Sequence, residues 1–171
     1  MKIKYLTAGE SHGPELTAIV EGIPSNFKVS KNYIDEFLVR RQKSLGSGGR
    51  MNIEKDEVLI TSGVINNLST GGPIAIKIIN KDWKNWKDKE IEPFVVPRPG
   101  HADLVGTFKY QHDDIRLSLE RASARETAIR CAIGAICHQI LNQLGVEVVG
   151  YVSSIGEQKL GNINLEDIGQ I

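Results

Sequence analysis

Ile129, Ile133, Ile136, Ile140 and Leu144 recur at helical spacing, so the chain must form one long helix and supply a core to cover that stripe. The spacing predicts a helix over about 124–144, stopped by Gly145. Its start is unusual. Ser123 followed three residues later by Glu126 is a capping box, and a helix start, with its free N–H groups and partial positive charge, favours acids. Arg121 and Arg125 flank it instead. Two guanidinium groups there are unfavourable unless an anion sits between them, which points to a bound phosphate or carboxylate.

The rest of the pattern supplies strands to pack on that helix. Residues 2–7 and 15–21 read as a strand pair turning at Gly13-Pro14, and 58–65 and 73–80 as two more joined by Ser69 to Gly72. Ser30 caps a predicted helix over 31–42 that ends by delivering Arg40 and Arg41. Trp83 and Trp86 anchor a charged excursion over 81–92 or serve a subunit contact. Beyond a loop at His101, Asp113 caps a short helix ending near Glu120, and Val146 to Val152 form a last strand. The expected class is α+β, antiparallel sheets packed with helices, in a single domain over 1–171. Asn164 opens a further helix that the chain's end interrupts, the pattern of a truncated chain.

With 171 residues, 40% apolar and 25% charged, the chain can bury a sizeable core. Its formal net charge is zero, which argues against bulk capture of nucleic acid or of a membrane surface, so anion binding must come from local clustering. All eight arginines lie between positions 40 and 130. The N-terminus lacks the apolar core of a signal peptide, and no run approaches the roughly eighteen apolar residues of a membrane span. A cytoplasmic protein is expected. Cys131 and Cys137 fall roughly 9 Å apart along the helix axis, too far to bridge, and read as reduced core residues.

Three polar segments carry the candidate chemistry: Gly9-Glu10-Ser11-His12-Gly13, Arg98-Pro99-Gly100-His101-Ala102-Asp103, and Arg121 to Thr127. His12 sits between small neighbours that leave an imidazole accessible. His101 has Asp103 two residues on, a carboxylate placed to fix its tautomer. Gly46 to Gly49 permits Arg50 to fold back over the same pocket. No histidine or cysteine pair has metal-ligand spacing, no Walker or dinucleotide fingerprint is present, and Ser11 lacks a nucleophile-elbow context.

Taken together these segments resemble the chorismate synthases. Gly9 to Pro14 through Glu21-Gly22-Ile23-Pro24 is similar to that family's first signature, and Glu120-Arg121-Ala122-Ser123-Ala124-Arg125-Glu126-Thr127 to its second. Arg40 to Lys43, Gly49-Arg50-Met51, Asn80 to Trp83 and Arg98 to Asp103 resemble further family segments in the same order. The resemblance implies a β-α-β sandwich, a homotetramer, and a lyase of the shikimate pathway and aromatic amino acid biosynthesis. Such an enzyme turns 5-enolpyruvylshikimate 3-phosphate into chorismate and phosphate with reduced FMN, NADPH being a candidate reductant. Carried onto this sequence, it makes His12 the acid near the departing phosphate and His101 the proton partner of the flavin. Arg41, Arg50, Arg98 and Arg125 would hold substrate anions, and Arg121, Ala122 and Ser123 would touch FMN. No metal is implied.

Two departures qualify the expectation. Ser47 stands where the family commonly has an arginine, and the chain is less than half the usual family length. The second half of the family sequence normally adds flavin contacts and an Arg-Ser-Asp segment. The alternative reading is therefore a folded fragment that binds phosphorylated anions or self-assembles without turnover.

Overall fold

A computed structural model describes residues 2–43 and 55–161; the expectations at Ser47 and Arg50 and the helix opened by Asn164 lie outside them. The described residues fall into two compact units, divided after Ile136.

The first unit is built on four antiparallel strands, β1 (Lys4–Ala8), β2 (Glu15–Glu21), β3 (Val58–Ser62) and β6 (Ile74–Ile79), in the order β1-β2-β6-β3. Period-two alternation decides which face is covered. Leu16, Ala18 and Val20 of β2, Ile74, Ile76 and Ile78 of β6 and Val58 of β3 are buried, while Ile19 and Ile79 on the opposite face stay exposed. Helix α1 (Lys31–Gln42) adds Ile34 and Leu38 to the core, and α4 (Ala124–Gln143) adds Ala128, Ile129, Ala132, Ile133, Ala135 and Ile136. Each large aliphatic side chain so buried contributes about 1.5–3 kcal/mol. The Ser30 hydroxyl accepts from the Tyr33 N–H at 3.3 Å, the cap expected from sequence, worth about 1 kcal/mol.

The expected strand over 58–65 breaks at Gly63. Its φ of 80° suits glycine, and a Cβ there would lie 2.5 Å from the Pro73 carbonyl oxygen. Beyond the break, β4 (Val64–Ile65) and β5 (Leu68–Ser69) form a separate small hairpin. The loop at His101 is present, and directly beyond it, where no element was expected, the chain forms helix α2 (Asp103–Tyr110), ended by Gln111 in the left-handed conformation. Gly106 is where that helix meets its neighbour. It lies in that helix because α3 (Arg116–Ala122) packs against it so closely that a Cβ would meet the Ser118 hydroxyl at 2.3 Å.

In the second unit, β7 (Ser154–Ile155) pairs with β8 (Gln158–Lys159). The expected strand over 146–152 does not form: its residues are exposed and have no ladder partner among the described residues, and β propensity alone does not hold a strand. No described helix is long and apolar enough to cross a membrane.

Candidate active site

The turn between β1 and β2 carries His12, and three bonds to α3 fix it. The Ser11 N–H donates to the Glu120 backbone oxygen at 3.0 Å. The His12 N–H reaches Glu120 Oε2 and its Nδ1 reaches Oε1, both at 2.7 Å. Trp86 packs on the imidazole with ring centroids 3.9 Å apart, and is itself held by its Nε1–H donating to Asp82 at 2.8 Å. His12, Glu120, Glu10, Trp83, Trp86, Ile91 and Arg116 line a cleft of about 310 Å³. The two tryptophans expected to anchor an excursion are therefore walls of the His12 cleft.

Asn80, 2% exposed at the end of β6, holds the same turn from below. Its amide donates to the carbonyls of Gly13, Glu10 and Ser11 at 2.7, 3.2 and 3.4 Å, and its Oδ1 accepts from Arg125 Nε at 2.8 Å. Arg125 is 4% exposed and its second arm donates to Asp56 Oδ1 at 2.6 Å. The other Asp56 oxygen faces Arg41 at 3.5 Å. Arg41 also donates to Thr127 Oγ1 and the Ala124 carbonyl, which ties α1 to the start of α4. Burial pushes the Arg41 guanidinium below its usual pKa, with Arg125 adding to the effect and Asp56 opposing it. Among the described residues Arg125 Nη2 is buried without a partner, an unusual state for a guanidinium arm and a donor left over for an anion.

Arg98 and His101 assemble elsewhere, around Asp103 at the first turn of α2. Arg98 grips that buried carboxylate through Nε, Nη2 and its backbone N–H at 2.9, 3.1 and 3.0 Å. His101 Nδ1 lies 2.6 Å from Asp103 Oδ1, and Arg98 Nη2 lies 3.1 Å from its Nε2. The bonds from Arg98 hold the Asp103 carboxyl well below the usual carboxylate range, against the opposing effect of burial. Neither Arg98 nor His101 lines the His12 cleft.

The capping box expected at Ser123 is not built. Ser123 is extended between α3 and α4, and its backbone oxygen accepts the Glu126 N–H at 3.0 Å. The Glu126 carboxylate turns away from the helix start to Thr7, Arg121 and Arg130. Burial raises its pKa, but those three donors outweigh burial and leave it lowered. Arg121 also donates to the Thr7 carbonyl and hydroxyl at 2.8 and 2.6 Å, so the cation beside the helix start is balanced by an acid of its own chain. Ala122, exposed, ends α3, and Ser123, half-buried, joins it to α4.

Of the residues singled out from the sequence, His12, Arg41 and Arg125 share one network and Arg98 and His101 gather around Asp103; Glu120, Asn80, Asp56, Trp86 and Arg116, which line or support the His12 cleft, had been given no role there. Asn80 and Glu120 lay within segments already marked as family-like; nothing in the sequence singled out Asp56.

The comparisons with known proteins agree in one direction. A family model described as chorismate synthase matches residues 3–168. The chorismate synthase of Desulfitobacterium hafniense strain Y51 is 54% identical over 174 residues, covering 96% of this chain and 44% of that protein. That of Enterococcus faecalis is 51% identical, covering 90% of the chain and 42% of the relative. A crystal structure of chorismate synthase superposes with a TM-score of 0.73 at 41% identity, over 94% of this chain and 40% of the solved one. The chain spans less than half the length of these relatives, and across that span it belongs to the chorismate synthase family.

Proposed function

We propose that this chain contributes the acid and an anion-binding wall to a chorismate synthase active site, acting in aromatic amino acid biosynthesis on 5-enolpyruvylshikimate 3-phosphate. The observation that carries the reading is the His12 turn: an imidazole lining a cleft, clamped by Glu120 and Asn80, with Arg125 and Arg41 joined to the same network. Loss of phosphate from the substrate develops negative charge on a leaving oxygen, and a positioned imidazole supplies the proton that neutralises it. Arg41, Arg50, Arg98 and Arg125 are the cations that hold the substrate's phosphate and carboxylates. Arg125 Nη2 is the arm with capacity to spare. His101 stores a second proton, its ring oriented by Asp103.

Reduced FMN, when bound, supplies electron density that assists departure of the phosphate. The residues present suit its phosphate and carbonyl oxygens: Arg121 and Ala122 end α3, and Ser123 directly precedes the N–H groups that open α4. NADPH as the reductant, a homotetramer and a cytoplasmic setting belong to the same proposal.

Anaerobic phosphate release from 5-enolpyruvylshikimate 3-phosphate with chemically reduced FMN tests it. The chain extended to the length of its relatives is expected to turn over, and the 171-residue chain to bind the substrate anion without turnover. An extended chain that binds the substrate no better than a His12→Ala, Arg125→Ala variant overturns the reading.

A further inference from the structure

We infer that Glu120 is the positioning residue of His12: it selects the tautomer with the proton on Nδ1 and leaves Nε2 as the atom presented to the cleft. The role of that atom as an acid rests on the function proposed above; the tautomer does not.

An ionised carboxylate only accepts hydrogen bonds. Glu120 takes two from one residue, the backbone N–H of His12 on Oε2 and the ring Nδ1 on Oε1, each at 2.7 Å. Such a pair constrains both the ring's rotation and the site of its proton, because an Nδ1 without hydrogen would face an oxygen lone pair across the same short distance. Trp86 closes one face of the ring. The backbone bond from Ser11 to the Glu120 oxygen keeps the turn and α3 in register, so the carboxylate cannot drift while the ring stays. Among the described residues no bond to Nε2 is seen, and the other charged groups lining the cleft are Glu10 and Arg116. Arg116 is occupied by Asp114 and the Ile91 carbonyl, which leaves Glu120 as the carboxylate bonded to the ring.

The test uses the 171-residue chain and needs no turnover. Long-range proton–nitrogen correlation spectra of the ¹⁵N-histidine-labelled protein, taken above the titration of its histidines, report which ring nitrogen carries hydrogen; His12→Gln assigns the signal. His12 is expected to favour the Nδ1–H form by about tenfold or more, the ratio that a hydrogen bond to a charged group sustains. Glu120→Gln is expected to erase most of that preference while the His101 signal stays unchanged, and Glu120→Asp to restore part of it. A parent spectrum showing His12 protonated on Nε2 overturns the inference without any variant, even if Glu120→Gln fails to fold. An unchanged preference in a folded Glu120→Gln chain overturns it equally. Failure of phosphate release in the extended chain would sink the proposed reaction and leave the tautomer result standing.

Discussion

His12 and His101 each set Nδ1 against a carboxylate, at 2.7 and 2.6 Å, and there the likeness ends. Among the described rings Glu120 bonds to His12 alone, and His12 lines a cleft. Asp103 is shared with Arg98, whose Nη2 lies 3.0 and 3.1 Å from the two ring nitrogens of His101, so the guanidinium covers that ring. The first histidine is open and the second closed. Sequence spacing favoured His101, because a nearby aspartate reads as a carboxylate that activates a histidine. The geometry teaches that a carboxylate partner is not sufficient: a proton carrier also needs a free nitrogen, and at His101 that requires Arg98 to move. An anion drawn to Arg98 would supply the reason for it to do so.

The largest expected effect tests that contrast directly. In the extended chain, His12→Ala is expected to lower phosphate release by about 10²–10⁴-fold, the usual range for a general acid. His101→Ala is expected to lower it by about a hundredfold. Unchanged turnover in the His12 variant would reverse the assignment of open and closed rings. Next in size is Arg125→Met, which leaves Asp56 buried and without its main partner and is expected to cost about 3–5 kcal/mol in urea unfolding. A loss under 1 kcal/mol would mean that the His12 turn does not depend on this network.

Asp103→Asn is expected to cost about 1–3 kcal/mol, since Arg98 and His101 lose a charged acceptor. Its signature is in acid. Asp103 has a folded-state pKa below its unfolded value, so its contribution is fully present above the ordinary carboxylate value of about 3.9 and is lost as pH falls below it. The parent should therefore lose stability below about pH 4 more steeply than Asp103→Asn, and parallel curves would show that the closed histidine is held by something else. Smallest is Ser123→Ala, expected to change the thermal midpoint by no more than about 0.5 kcal/mol permits. A loss near 1 kcal/mol would restore the capping box and with it the anion argument first made at that helix start.

That last case shows how far the sequence could be read. The long helix, α1 with its Ser30 cap and the four sheet strands were legible because their periodicity and caps are local. The Ser123 box misled because Glu126 satisfies the same local pattern while its carboxylate is claimed by Thr7, 119 positions away. Helix α2 was not anticipated: it is eight residues long with a glycine inside it, and Gly106 is accounted for only when Ser118 is seen packed against it. His12 could be named from its motif, but Glu120 and Asn80 act on it from 108 and about 70 positions away, and periodicity carries no record of such pairs. Val146 to Val152 has the composition of a strand and lacks a described neighbour to make it one.

Asn80 has one further consequence. A single amide grips the backbone of the His12 turn with its nitrogen and Arg125 with its oxygen, so the proposed proton donor and the proposed anion clamp are two ends of one small lever. Their spacing is settled when the chain folds. A ligand arriving later would meet groups whose relative freedom is already spent, and the entropy of assembling them would not be subtracted from its binding.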